Sequence, residues 1–167
     1  MAKQSIPKQV LLDGAQMALS GFLAGTLGFL KEQNISVRDW ITYIGGQFEG
    51  SLGDLEGEEP SLVMEHLLTL QVLPLGAEVT SSQTRDGKVE VKLTPVPSRA
   101  LLEKFGTTPK EFLTGFDISQ KDFEAIYGIY EPAAKAIGLR FTHQLKTGQE
   151  VLSLEPARGG RRRARKP

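Results

Sequence analysis

Residues 76–95, GAEVTSSQTRDGKVEVKLTP, contain the change of period on which the fold turns. Val79 precedes an Asp86-Gly87 pair, and Val89, Val91 and Leu93 follow it in alternation with Glu90 and Lys92. Side chains two apart share one face of a strand, and Asp-Gly takes the positive φ values of a primed two-residue turn. The stretch therefore predicts a β-hairpin with one buried and one wet face.

Upstream of the hairpin the period is helical. SLVMEHLLTLQVL, residues 61–73, predicts a short helix ending near Pro74 and Gly76, and GDLEGEEP, residues 53–60, predicts an acidic loop before it. Ser36 with Asp39 starts an earlier helix whose inner face is Val37, Trp40, Ile41, Ile44 and Phe48. Gly45 and Gly46 inside that pattern predict a close helix contact or a local break. The first helix is expected from about Pro7 to Gln33. It holds a stripe of small residues, Gly14, Ala18, Gly21, Gly25 and Gly28, at alternating steps of four and three, with Leu12, Leu19, Phe22, Leu23, Phe29 and Leu30 beside it. A helix apolar on more than one side suits burial between a core and a partner, and the stripe suits a symmetry mate.

Downstream, Ser98 precedes RALLEKFG, and Thr108-Pro109 with Glu111 supplies N-cap, first-turn proline and N3 acid in order. Ser119 with Asp122 starts a helix whose apolar positions Phe123, Ile126, Tyr127, Tyr130, Ala134 and Ile137 hold phase through Pro132, where a kink is expected, with Gly138 as the stop. LRFTHQLKTGQEVLSLEP, residues 139–156, predicts a second hairpin with Leu139, Phe141, His143 and Leu145 on one face and a turn at Lys146 to Gln149. Helical runs separated by hairpins predict an α+β domain over residues 1–156: an antiparallel sheet of two hairpins packed with helices, and a long N-terminal helix for dimerisation.

Composition bounds the chemistry. The 167 residues balance 20 basic against 20 acidic side chains, but the last ten, RGGRRRARKP, hold six of the basic ones, so the preceding body is acidic. Residues 157–167 are expected to be a disordered basic tail. It has three readings: a solubilising end, an RNA-attracted arm or an anchor for anionic lipid, the latter two giving non-specific, salt-sensitive affinity for an anionic partner. Absence of Cys removes disulfides and thiolate chemistry and points to the cytoplasm. No signal peptide is expected, since Asp13 stands where one would be apolar. A membrane span is the rival reading of the first helix. Residues 14–30 are uncharged and contain Gly21-x-x-x-Gly25, but 17 residues reach only about 25 Å, short of a hydrocarbon core of about 30 Å. No transmembrane span is expected.

No phosphate loop, nucleophile elbow, dinucleotide fingerprint or His pair at helix spacing is present. Asp54, Glu56, Glu58 and Glu59 lack the ligand ladder of a calcium loop, so no metal or cofactor is expected and no catalytic set is readable. His66 is expected on a helix surface. His143 points inward from its strand, either as a hydrogen-bonded residue at the core's edge or as a ligand-binding or catalytic group. Phe112, Phe116, Phe123, Tyr127, Tyr130 and Phe141 read as core or, with His143, as the lining of an apolar ligand pocket.

The run LLTLQVLPLGAEVTSSQTRDGKVEVKLTPVP, residues 67–97, followed by helices and then AAKAIGLRFTHQLKTGQEVLSLEP, residues 133–156, resembles the 4-vinyl reductase-type small-molecule-binding domain, related in fold to transport-protein-particle subunits. The resemblance covers about Ser61 to Pro156 and implies an α+β dimer joined through N-terminal helices with an internal apolar ligand cavity. Such domains often carry Cys after the first hairpin and on the last strand; Val96 to Phe112 and Val151 hold none here, so this is a cysteine-free variant without thiol-bound metal. The expected function is a non-catalytic ligand-binding or sensory homodimer. The alternative is a reductase- or hydrolase-like enzyme using His143 with Tyr127 or Tyr130 as acid and base.

Overall fold

The computed structural model describes residues 6–157; apart from Ala157, the basic tail expected at 157–167 lies outside them. Two helices open the described chain, α1 (Lys8–Glu32) and α2 (Val37–Gln47), and α3 (Pro60–Leu67) follows the acidic loop. Strands β1 (Val79–Arg85) and β2 (Lys88–Leu93) form the first hairpin. Short helices α4 (Arg99–Lys104), α5 (Pro109–Gly115), α6 (Gln120–Glu124) and α7 (Tyr130–Ala136) lead to strands β3 (Leu139–Lys146) and β4 (Gln149–Pro156). The fold is α+β, with one four-stranded antiparallel sheet in the order β1-β2-β4-β3.

Both hairpins close through two positive-φ residues, Asp86-Gly87 and Thr147-Gly148, the backbone signature of primed turns that match the twist of the flanking strands. The register then follows. Val89, Leu154 and Phe141 lie in one row, Val91, Leu152 and His143 in the next, and Leu93, Glu150 and Leu145 in a third. This face carries the core, with Val91, Leu93, Leu152 and Leu154 closed to solvent under Phe123, Tyr127 and Met64. The expectation of one buried face fails for β1, exposed at every position. Helix α3 sits over β2 and β4, so the core-side Ser82 and Thr84 border only an open depression beside it.

Helix starts follow their caps. Ser36, Ser98, Thr108 and Ser119 each accept a hydrogen bond from the backbone N–H three residues on, and Thr108-Glu111 and Ser119-Asp122 form reciprocal capping boxes. Two helices differ from expectation. α3 relaxes into a π turn (Leu68–Val72) and a 3-10 turn (Leu73–Leu75) before Gly76 ends it at φ 82°. The helix expected to run from Ser119 to Gly138 with a kink at Pro132 is broken one turn earlier, by a 3-10 segment (Ala125–Ile129). Pro132 has no N–H for the Gly128 carbonyl and its ring crowds that carbonyl, so the irregularity falls on the turn before the proline. α2 runs through both its glycines. A Cβ at Gly45 would stand 3.1 Å from the Pro132 ring and 3.2 Å from the Ile129 carbonyl, a close contact, whereas Gly46 meets nothing.

α1 buries Ser20, Ala24, Leu27 and Leu30 against the domain. Its polar residues satisfy carbonyls at the irregular end of α3: Gln16 Nε2 donates to Leu73 O at 2.8 Å and Ser20 Oγ to Leu75 O at 2.7 Å. Lys104 pairs with Asp13 at 2.9 Å and Lys31 with Asp117 at 3.1 Å, tying both ends of the helix down. The 25 residues of α1 are long and apolar enough to cross a membrane by length and composition, although its uncharged stretch remains the 17 residues 14–30.

The small-residue stripe divides along its length. Gly14 and Gly21 face open space and Ala18 is exposed, while Gly25 takes the Phe116 ring at 3.6 Å and Gly28 lies on the Phe116 carbonyl. The close approach at Gly28, expected from a second copy, is made by this chain's own loop after α5. Replacing helical Gly by Ala ordinarily gains up to about 1 kcal/mol. Gly28→Ala should instead lower stability by about 1–3 kcal/mol, because its Cβ meets backbone that has little room to shift. Urea unfolding checks the sign.

Candidate functional site

A groove of about 1030 Å³ lies between α2 and the α6–α7 segment, with His143 of β3 in its wall. Its apolar lining is Val37, Ile41, Ala125, Pro132 and Ala136, and its polar lining is Arg38, Thr42, Glu49, Lys121, Asp122, Glu131, Lys135 and His143. Two glycine contacts orient it. Ile41 abuts Gly128 and Gly45 abuts Pro132, so α2 runs parallel to the 121–136 segment, and Arg38 and Lys121 fall at the same end.

His143 is fixed by its neighbours. β-strand alternation turns it to the helix-covered face, where it stacks against Phe141 at 6.2 Å between ring centroids. Nδ1 lies 2.5 Å from Oε1 of Glu124, a buried acid on α6, so a carboxylate there makes Nδ1 the donor. Nε2 is left facing the groove, with exposed Glu131 at 3.3 Å. Gly128 keeps that nitrogen clear: a Cβ there would stand 3.5 Å from Nε2 and 3.1 Å from Ile41 Cγ2. Among the described residues no group of three His, Asp or Glu side chains is placed to hold a metal ion. The two acids bracket the imidazole from opposite edges and share no coordination point with it.

Of the seven expected pocket residues, only His143 lines this groove. Phe112, Phe123, Tyr127, Tyr130 and Phe141 are core residues. Phe112 stacks edge-on with Phe116 at 5.3 Å and Tyr130 with Phe141 at 5.9 Å. The correction has a packing cause: these aromatics fill the space between sheet and helices, as aromatics at helical spacing commonly do. The alternative acid–base pairing of His143 with a tyrosine is not assembled either. Tyr127 donates its hydroxyl to Glu150, Tyr130 is buried against Phe141, and neither opens on the groove. Burial raises the pKa of both phenols, and the Glu150 charge raises that of Tyr127 further. His66 is half-buried rather than on the surface.

Glu150 was not singled out in the sequence. Counting back from a two-residue Thr147-Gly148 turn pairs Glu150 with Leu145 and turns it inward; a longer turn hides this. The side chain is fully enclosed, accepting from Tyr127, from Gln120 Nε2 at 3.0 Å and from Val96 N–H at 3.3 Å. Burial pushes its pKa up to about 7, with the charge of Glu124 adding to that, while the three hydrogen bonds pull it back. Glu124 escapes a sequence reading because an acid between Phe123 and Tyr127 looks like the wet side of an amphipathic helix.

Between pH 4.5, the ordinary glutamate value, and about 7 the folded chain keeps a proton on Glu150 that the unfolded chain has lost. This group's contribution therefore falls as pH rises through that window and levels off above it. Glu150→Gln removes the titration yet offers an oxygen to Gln120 and Val96 and an N–H₂ to Tyr127. Thermal unfolding from pH 5 to 7.5 should show a smaller loss of stability with rising pH in the variant than in the parent. Compared with family models, curated proteins and solved structures, the chain matches none.

Proposed function

We propose that this chain is a ligand-binding domain that works as a homodimer, holding a small molecule in the α2/α6–α7 groove with His143 as the polar anchor. The observation that carries the reading is an imidazole held by the buried Glu124 carboxylate, its second nitrogen turned through the gap at Gly128 onto a groove large enough for a small organic molecule. The pre-oriented imidazole supplies direction, and the apolar strip of Val37, Ile41, Ala125, Pro132 and Ala136 supplies affinity. The order helix, hairpin, helices, hairpin, which resembles 4-vinyl reductase-type domains, supports the same reading.

The dimer rests on the outer side of α1. Opposite its buried face the helix presents Leu11, Ala15, Ala18, Phe22 and Phe29, with Phe22 76% and Phe29 57% exposed. Spacings of four and three make a seam for a second helix. The bare positions Ala18 and Gly21 beside it are holes into which the phenylalanines of a mate fit. A monomer in solution would overturn the dimer, and flotation of the chain with phosphatidylcholine vesicles would assign the face to lipid instead.

Sedimentation equilibrium should give a dimer that Phe22→Asp converts to monomer. Native mass spectrometry of gently purified protein should show a retained small molecule. Gly128→Val, which fills the space before Nε2 and against Ile41, should reduce its occupancy at least tenfold while the far-ultraviolet circular dichroism stays unchanged.

A further inference from the structure

The charges around the groove are unevenly partnered. Asp122 accepts from the backbone N–H and hydroxyl of Ser119, Glu131 faces His143 Nε2, and Glu124 holds Nδ1 from behind. Among the described residues, Arg38, Lys121 and Lys135 have no carboxylate within ion-pair distance, although each lines the groove; of the lining acids, Glu49 and Asp122 have no cation within that distance either. The lining holds three cations and three carboxylates in all, and what it offers an anion is the unpaired Arg38 and Lys121, the nearby Asp122 being committed to the Ser119 cap. The parallel course of α2 and the 121–136 segment sets Arg38 and Lys121 toward one end, one to two turns before Ile41 and Gly128, with Val37 and Ala125 as apolar lining and the capped Asp122 next to Lys121.

We propose, resting on the reading of this groove as the binding site, that its ligand is a small amphipathic organic anion. A carboxylate, sulfonate or similar head group takes the Arg38–Lys121 end, and the apolar body lies along Val37, Ile41 and Ala125. A hydroxyl or amine on the body donates to His143 Nε2. Arg38 supplies a planar pair of donors suited to such a head group, and Lys121 adds a mobile charge. Lys135, toward the other end, raises the local concentration of anions without selecting among head groups.

A matched pair of probes tests this on the full chain: 8-anilinonaphthalene-1-sulfonate and N-phenyl-1-naphthylamine, which share the same aromatic body with and without the anionic group. Fluorescence titration should show the sulfonate bound at least tenfold more tightly. The doubly substituted Arg38→Gln, Lys121→Gln chain should lose about that factor for the sulfonate and keep its affinity for the amine. Both substituted side chains are exposed, and unchanged circular dichroism confirms the fold. Equal affinities for the two probes, or a sulfonate affinity indifferent to the double substitution, would overturn the anion inference while leaving the groove as the site. Binding of neither probe, or binding of both that ignores Gly128→Val, would overturn the reading of the groove itself.

Discussion

The antiparallel pairing of β2 with β4 is the constraint on which the rest depends. It joins two otherwise separate hairpins, and its register, from Val89 opposite Leu154 to Leu93 opposite Glu150, sets which side chains every other strand turns toward the helices. A slip of one residue would reverse the faces of the slipped strand. If β3 slipped, His143 would face solvent and Glu124 would lose its partner; if β4 slipped, Glu150 would leave its hydrogen bonds with Tyr127, Gln120 and Val96. Two-residue turns at both hairpin tips guard against this, since the alternation has no slack to absorb an extra residue.

Placing a carboxylate and an imidazole on the inner face of a sheet is costly unless every polar atom is satisfied. Here each has its partners, and among the described residues no buried side-chain nitrogen or oxygen lacks one. Much of that arrangement is supplied by α6 and the 3-10 segment after it. Gln120 and Tyr127 serve Glu150, Glu124 serves His143, and Gly128 leaves the imidazole's outer edge open. The proline that interrupts the helix thus has a structural use: the tighter turn before Pro132 brings the Gly128 backbone up against Ile41 and His143.

Much of the fold was legible because its signals are local. Asp86-Gly87, the alternation after it, the hydroxyl caps at 36, 98, 108 and 119 and the stop at Gly76 each state a backbone conformation within a few residues. The site was less legible because it depends on non-local neighbours. Inward His143 follows from strand period, but its partners come from α6 and α7, 19 and 12 residues away, where acids read as solvated surface. The stripe on α1 was visible as a pattern, yet nothing in the pattern says that Phe116 of the same chain occupies its lower half. Gln16 and Ser20 looked like dilution of an apolar helix, when they answer two carbonyls left over by the π and 3-10 turns at the end of α3.

The bare outer strand carries a consequence of its own. β1 is exposed along its whole length and is held by β2 on one side only, so its backbone amides have neither a second neighbour nor a covering helix to slow their opening. Exchange with heavy water should be quick at this strand and slowest at the two inner strands, β2 and β4. Any fraying of this strand takes place at the edge of the sheet opposite β3 and His143, so the groove can stay formed while the far side opens.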